Sequence, residues 1–203
     1  MTTFWLLRHA AHDWLGRGIA GRQPDVSLNA AGEAQAQALV QRFAAVPLAA
    51  IYCSPQPRTQ QTAAPLARSR GLTPGVVEGV DEVDMGDWEG RSFDELRALG
   101  EPWRHWVERR ASAHPPGGEP FADVARRAMG ALRILSARHP DEHVMVVSHG
   151  DVLKSIVADA LGLSLDHLER FDIAPASVSV LAMGDTWHRV ELLNAQGAVI
   201  PPT

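Results

Sequence analysis

Three short apolar runs in this chain each stop at polar residues able to do chemistry, and this pattern constrains the fold more than any other feature. Phe4–Leu7 stops at Arg8-His9, Leu48–Cys53 at Ser54, and Val144–Val147 at Ser148-His149-Gly150. Runs this short and this continuously apolar read as strands buried on both faces. In open α/β sheets ligands bind beyond the carboxyl ends of the strands. Residues far apart in sequence are therefore expected to converge on one crevice.

The segments between the runs read as helices and loops. Residues 10–28 are rich in Gly, Arg and polar side chains and read as a loop. Asn29 is placed to cap a helix over roughly 30–45, with Glu33 in its first turn, Leu39, Val40, Phe43 and Val46 on one face, and Pro47 ending it. Ser54-Pro55 reads as an N-cap followed by proline at the first helical position, which puts Arg58 in the first turn, and Pro65 should kink or shorten that helix. Ser92-Phe93-Asp94-Glu95 is a capping box opening a short helix, and Trp103 and Trp106 sit on another. Pro115-Pro116-Gly117-Gly118 breaks the chain before a long amphipathic helix with Phe121, Val124, Ala128, Leu132 and Leu135 inward. The third strand is followed by a helix with Val152, Ile156 and Leu161 inward that stops at Gly162. Val178–Leu181 and Trp187–Leu193 flank Gly184-Asp185 and read as a hairpin. Strands alternating with helices predict an α/β fold, a mainly parallel central sheet covered by helices on both faces. The 203 residues suit a single domain over 1–203.

Composition narrows the class. Cys53 is the only cysteine, so no internal disulfide forms and a reducing compartment is expected. The N-terminal residues lack a basic segment followed by a long apolar one, and no run approaches the ~18 apolar residues that cross a bilayer. A cytoplasmic protein with no membrane partner is the expectation. The net charge of −5 argues against nucleic acid as a partner. Cation usage is lopsided, with Lys154 the single lysine beside eighteen arginines. His105, His114, His139 and His143 show no metal-ligand spacing, so no metal is expected.

Two histidines and two arginines near helix N-termini suggest a phosphate site, because amide donors and guanidinium forks both favour a tetrahedral anion. An imidazole with one bare nitrogen is a covalent nucleophile. Arg8 and Arg58 would keep His9 neutral and would neutralise a transferring phosphoryl group. His149 could donate a further hydrogen bond. The leaving alkoxide needs a proton, and the stretch Asp81-Glu82-Val83-Asp84 supplies candidate acids. His12, Trp14, Arg17 and Arg22 fall in the first loop. Of these, His12, Trp14 and Arg22 are the candidate substrate contacts.

Four ordered blocks carry a resemblance: Leu6-Leu7-Arg8-His9; Ser54 through Ala63; Glu82 through Gly90; and Val147-Ser148-His149-Gly150. With Leu28 through Ala36 and Pro116-Gly117-Gly118-Glu119, they resemble the histidine phosphatase superfamily, the group that includes cofactor-dependent phosphoglycerate mutases. The resemblance implies His9 as the phosphorylated nucleophile, Arg8, Arg58 and His149 as the phosphate pocket, and Glu82 as proton donor. It implies no metal or organic cofactor and a cap-type insertion around 92–120. The implied activity is hydrolysis of a small phosphorylated metabolite, with a mutase or a phosphate-binding module of little turnover as alternatives. A monomer or a homodimer is compatible with it. The chain departs from the family's usual Arg-His-Gly-Glu-Thr by reading Arg8-His9-Ala10-Ala11-His12, and Leu15 stands where an asparagine is common.

Overall fold

The computed structural model describes residues 1–197; residues 198–203 of the expected single-domain span lie outside the described residues. Strands β1 (Thr2–Arg8), β2 (Leu48–Cys53), β3 (Gly75–Val76), β4 (His143–Ser148), β5 (Val178–Met183) and β6 (His188–Ala195) form one sheet in the order β3-β2-β4-β1-β5-β6. The β3–β2, β2–β4 and β4–β1 pairings are parallel, and β5 and β6 add an antiparallel hairpin next to β1. The expected hairpin about Gly184-Asp185 is thus the sheet's antiparallel end.

Alternation along β1 assigns the two faces. Phe4 and Leu6 share one core with α5 (Phe121–Arg138) and α6 (Gly150–Leu161). Trp5 and Leu7 share the other with α1 (Ala30–Arg42) and α2 (Pro57–Arg70). Both faces are covered, which is why β1 and β4 read as unbroken apolar runs.

Four local expectations are corrected. Helix α1 ends at Arg42, and Phe43 and Val46 continue the apolar face from a turn in which the Val46 amide bonds the Phe43 carbonyl. Ser54 does not cap α2; the helix starts at Pro57 after Gln56, and the Ser54 hydroxyl is taken by His149 and Thr59. Pro65 does not shorten α2, which runs on to Arg70, because Leu66 and Ala67 beyond it are anchored in the core. Leu161 is half-exposed, since α6 ends against the left-handed Gly162 and its last turn leaves the core.

Residues 92–120 hold α3 (Phe93–Ala98) and α4 (Glu101–Glu108). The Ser92–Glu95 capping box forms as the sequence reads. This segment is bound to the first loop by a bridge between Gly18 and Ser92 and by bonds from the Ile19 amide to the Arg91 carbonyl (3.0 Å) and from the Phe93 amide to the Arg17 carbonyl (2.9 Å). Trp103 and Trp106 stack at 5.1 Å and meet Trp88 edge-on, and Trp106 also lies against Phe121. The two tryptophans therefore pack α4 onto the core.

The first loop rests on α1 at Gly32, where an added methyl would collide with the Ala11 carbonyl oxygen. Alanine is the better helix former by about 1 kcal/mol, but a backbone contact that short must push the two segments apart. Gly32→Ala is expected to destabilise by about 1–3 kcal/mol and to lower the melting temperature. A melting temperature equal to or above the wild type would refute this reading of the loop's seat.

Candidate active site

The parallel register brings the strand ends together. Arg8 pairs with Ser148 across β1 and β4, so His9 and His149 leave the sheet side by side, with ring centroids 5.3 Å apart. The His9 amide bonds the Ser148 carbonyl at 2.9 Å. The ends of β1, β2 and β4, not side-chain attraction, set this proximity.

His9 is nearly fully buried. Its Nδ1 lies 2.9 Å from the Ala10 carbonyl oxygen, a contact that requires the ring proton on Nδ1. Nε2 is therefore the nitrogen with the lone pair. Burial, then the charges of Arg58 and Arg8, hold the imidazole's pKa well below its usual value, so it is neutral at physiological pH. His149, fully buried at the N-terminus of α6, is kept neutral by burial first and Arg58 next. Its Nε2 lies 2.7 Å from Ser54 Oγ. Its Nδ1 stands 3.3 Å from Glu82 Oε2, within ion-pair range but not aligned to hydrogen-bond it.

Arg58 is fully buried, and Nη2 donates to the Gly21 carbonyl at 2.7 Å and lies 3.5 Å from Glu82 Oε2. Its Nε and Nη1 are buried with no hydrogen-bond partner among the described residues. Arg8 Nη1 donates to the Ile173 carbonyl at 2.6 Å, and its Nε is likewise unpartnered. Buried guanidinium donors left unmade are costly unless an anion completes them. Gly150 makes room for this, because a methyl there would sit 3.1 Å from Arg8 Cζ.

Glu82 faces the same space. Burial raises its carboxyl pKa to about 7, against the opposing pull of Arg58. Its neighbour Asp81 is turned into the protein, where it accepts from Gln56 Nε2 at 2.9 Å and from the Glu82 amide at 2.8 Å. Asp81 thus braces the loop, while Glu82 faces the ring nitrogens.

Ligand-type atoms of His9, Glu82 and His149 lie within 4.8 Å of one another, a spacing that a metal ion could span. Arg8 and Arg58 contribute positive charge at both rings. That field suits an anion rather than a dication.

A cleft of about 430 Å³ opens from this cluster, lined by the first loop, α4 and the start of α6. His12 and Trp14 line it. His12 lies 4.9 Å from His9 ring to ring, and its Nδ1 accepts the Trp14 amide at 3.2 Å, which leaves Nε2 as the protonated nitrogen. Burial and the two arginines lower its pKa to about 4, so it too is neutral.

Arg22 does not line the cleft. Its guanidinium bonds Glu119 at 2.9 Å and the Glu82 carbonyl at 2.9 Å, beside Asp81 at 3.5 Å. Arg127 bonds the same Glu82 carbonyl at 3.0 Å and Glu119 at 2.7 Å. Arg22 thus braces the loop that carries Glu82. The departures at 10, 11 and 15 are absorbed simply. Ala10 has an ordinary backbone conformation and its amide bonds Thr62 Oγ1 at 2.9 Å, the Ala11 amide bonds Gln35 Oε1 at 2.9 Å, and Leu15 lends the cleft an apolar wall.

Reading the sequence did not pick out Lys154, Asp151 and Glu169 as cleft residues, although all three line it, or Gln56 and Arg127 as braces. Only Lys154 had a signal to offer, as the chain's single lysine.

Comparison with known proteins gives a consistent result. The family described as the histidine phosphatase superfamily (branch 1) matches residues 4–196. Phosphoserine phosphatase 1 of Hydrogenobacter thermophilus is 32% identical over 197 residues, 96% of this chain and 92% of that protein. A probable phosphoglycerate mutase, GpmB, of Cronobacter sakazakii is 32% identical over 180 residues, 88% of this chain and 84% of that protein. The solved structure of Bacillus stearothermophilus YhfR superposes with a TM-score of 0.90 at 33% identity, covering 96% of this chain and 97% of the other.

Proposed function

Because the chain belongs to the histidine phosphatase superfamily, we propose that it hydrolyses a small phosphomonoester through a phosphohistidine formed on His9, without a metal or organic cofactor. The observation that carries this reading is a bare imidazole nitrogen set beside two arginines whose buried donors lack partners. His9 Nε2 attacks phosphorus and the bond to the leaving oxygen breaks. Arg8, Arg58 and His149 hold the non-bridging oxygens, where charge is carried through the transition state. Glu82, protonated below about pH 7, gives its proton to the departing alkoxide. The resulting carboxylate then takes a proton from water as that water attacks the phosphohistidine. The N–P bond breaks, inorganic phosphate leaves, and His9 and Glu82 are back in their starting states.

A second reading, transfer of the phosphoryl group to a second acceptor, is favoured by the likeness to the probable mutase. It predicts dependence on a bisphosphate primer. Hydrolysis without a primer decides for the phosphatase.

The sign of the pH dependence follows from Glu82. Its carboxyl is the proton donor only while protonated, so release of an alkyl phosphate should fall as pH rises through about 7. Glu82→Gln has no proton to give. It is expected to lose that alkaline limb and to slow alkyl esters by about 10²–10⁴-fold. Nitrophenyl phosphate, whose leaving group needs little protonation, should suffer much less. The assay is run in EDTA. Loss of wild-type turnover in EDTA, or an unchanged alkaline limb in the variant, counts against the mechanism.

A further inference from the structure

One block of the sequence takes no part in the chemistry proposed above: Pro116-Gly117-Gly118-Glu119. In the structure it docks on the turn that follows Glu82. The Asp87 amide bonds the Pro116 carbonyl at 2.9 Å, and the Glu119 amide bonds the Asp84 carbonyl at 2.9 Å. Gly86, at φ 49°, and Gly118 permit this approach, since a side chain at either would collide with the backbone of the other segment. Docking puts the Glu119 carboxylate between two arginines. Its Oε1 accepts Arg22 Nη2 at 2.9 Å, Arg127 Nη2 at 2.7 Å and the Asp84 amide at 2.8 Å, and its Oε2 accepts Arg127 Nε at 3.1 Å. The other donors of Arg127, on α5, go to the loop that carries Glu82: to the carbonyls of Gly79 at 3.0 Å, Asp81 at 2.8 Å and Glu82 at 3.0 Å. A guanidinium has five N–H donors, and Arg127 uses them all on this loop and Glu119. Arg22, Glu119 and Arg127 do not line the cleft.

These contacts converge on one peptide unit, that between Glu82 and Val83. Its oxygen accepts Arg22 Nε at 2.9 Å and Arg127 Nη2 at 3.0 Å. Its amide, on Val83, donates to the Glu82 carboxyl at Oε1, 3.0 Å away. A peptide unit is planar, so holding the oxygen at one end aims the amide at the other, and the amide in turn aims the carboxyl. The second carboxyl oxygen then stands 3.3 Å from His149 Nδ1 and 3.5 Å from Arg58 Nη2. We propose that Arg127 and Glu119 are positioning residues of the proton-transfer steps: with Arg22 they set the Glu82 carboxyl at the phosphate pocket from outside the cleft, without touching substrate. This inference rests on the phosphatase reading. It also gives a reason for arginine at 127, because the planar fork holds the carbonyls and the carboxylate together, which a lysine ammonium, a point donor with three protons, does not.

The test measures kcat and KM of the intact protein on glycerol 2-phosphate, an alkyl ester whose leaving group needs a proton, and on nitrophenyl phosphate, whose leaving group needs little. Arg127→Met should lower kcat on the alkyl ester by about 10–100-fold, the scale of a misplaced catalytic group, and leave KM within about threefold. Nitrophenyl phosphate should lose much less. Glu119→Gln should show the same selectivity, and Arg127→Lys should recover part of the loss. The decisive measurement combines Arg127→Met with Glu82→Gln. Once the carboxyl is gone its position no longer matters, so the added change should slow the alkyl ester by less than about threefold further. Losses that multiply in the double variant overturn the proposal, as does an equal loss on both esters or a loss confined to KM. Glu119→Gln, a change of little volume, runs the same cycle if Arg127→Met does not fold. A wild type that hydrolyses neither ester would instead remove the phosphatase reading, and the positioning role with it.

Discussion

His9→Ala is expected to abolish phosphate release, by about 10⁴-fold or more, and to abolish the covalent intermediate with it. The size of the effect follows from the step that is lost. Without Nε2 there is no group to accept the phosphoryl, and the remaining arginines can only bind the ester. Rapid quenching of wild type with substrate should trap an acid-labile phosphoryl adduct, and peptide mapping should place it on His9. Mapping matters because His149 is a second imidazole only 5.3 Å away. The geometry separates the two: His149 Nε2 is held against Ser54 Oγ, whereas the Nδ1 contact of His9 leaves its Nε2 bare. An adduct on His149, or turnover by His9→Ala within about tenfold of wild type, would overturn the assignment.

Arg58→Met should lower kcat/KM by about 10³–10⁵-fold, the range set by cations that stabilise a transferring phosphoryl group. It should also move the pH profile. The charge of Arg58 lowers the pKa of Glu82 and depresses those of His9 and His149. Without that charge Glu82 keeps its proton above pH 7, so the alkaline limb shifts up. His9 gains a proton at higher pH than before, so the acid limb shifts up as well. The whole profile therefore moves toward higher pH as it falls in height. A purely structural role would lower the melting temperature and leave the limbs in place. A profile that stays put, or a loss below about tenfold, would show that Arg58 does not act electrostatically on the cluster.

Much of the architecture could be read from local patterns. The apolar runs at 4–7, 48–53 and 144–147 became β1, β2 and β4, and the polar residues at their ends became the cluster. The Asn29 cap and the Ser92–Glu95 capping box formed because both depend on residues three positions apart. Ser54 departs from its local pattern for the opposite reason. Its local context suits an N-cap, but His149, 95 residues away, takes its hydroxyl. Arg22 is held away from the cleft by a similarly distant partner, because the carboxylate it bonds belongs to Glu119, 97 residues on.

The alternation of strands and helices, and the kinds of side chain at the strand ends, are legible locally, since both follow from short-range periodicity and residue type. Which groups meet at those ends is set by the three-dimensional packing, because burial and long-range register are not local properties. The pairing of Arg8 with Ser148 puts His9 beside His149. The folding of the loop turns Asp81 inward and leaves Glu82 facing the cluster, and burial then carries its carboxyl to about 7. The packing of α6 on the sheet leaves Lys154 in the cleft with Glu169 Oε2 3.9 Å away, and nothing in its immediate sequence distinguishes it from a lysine on a solvated helix.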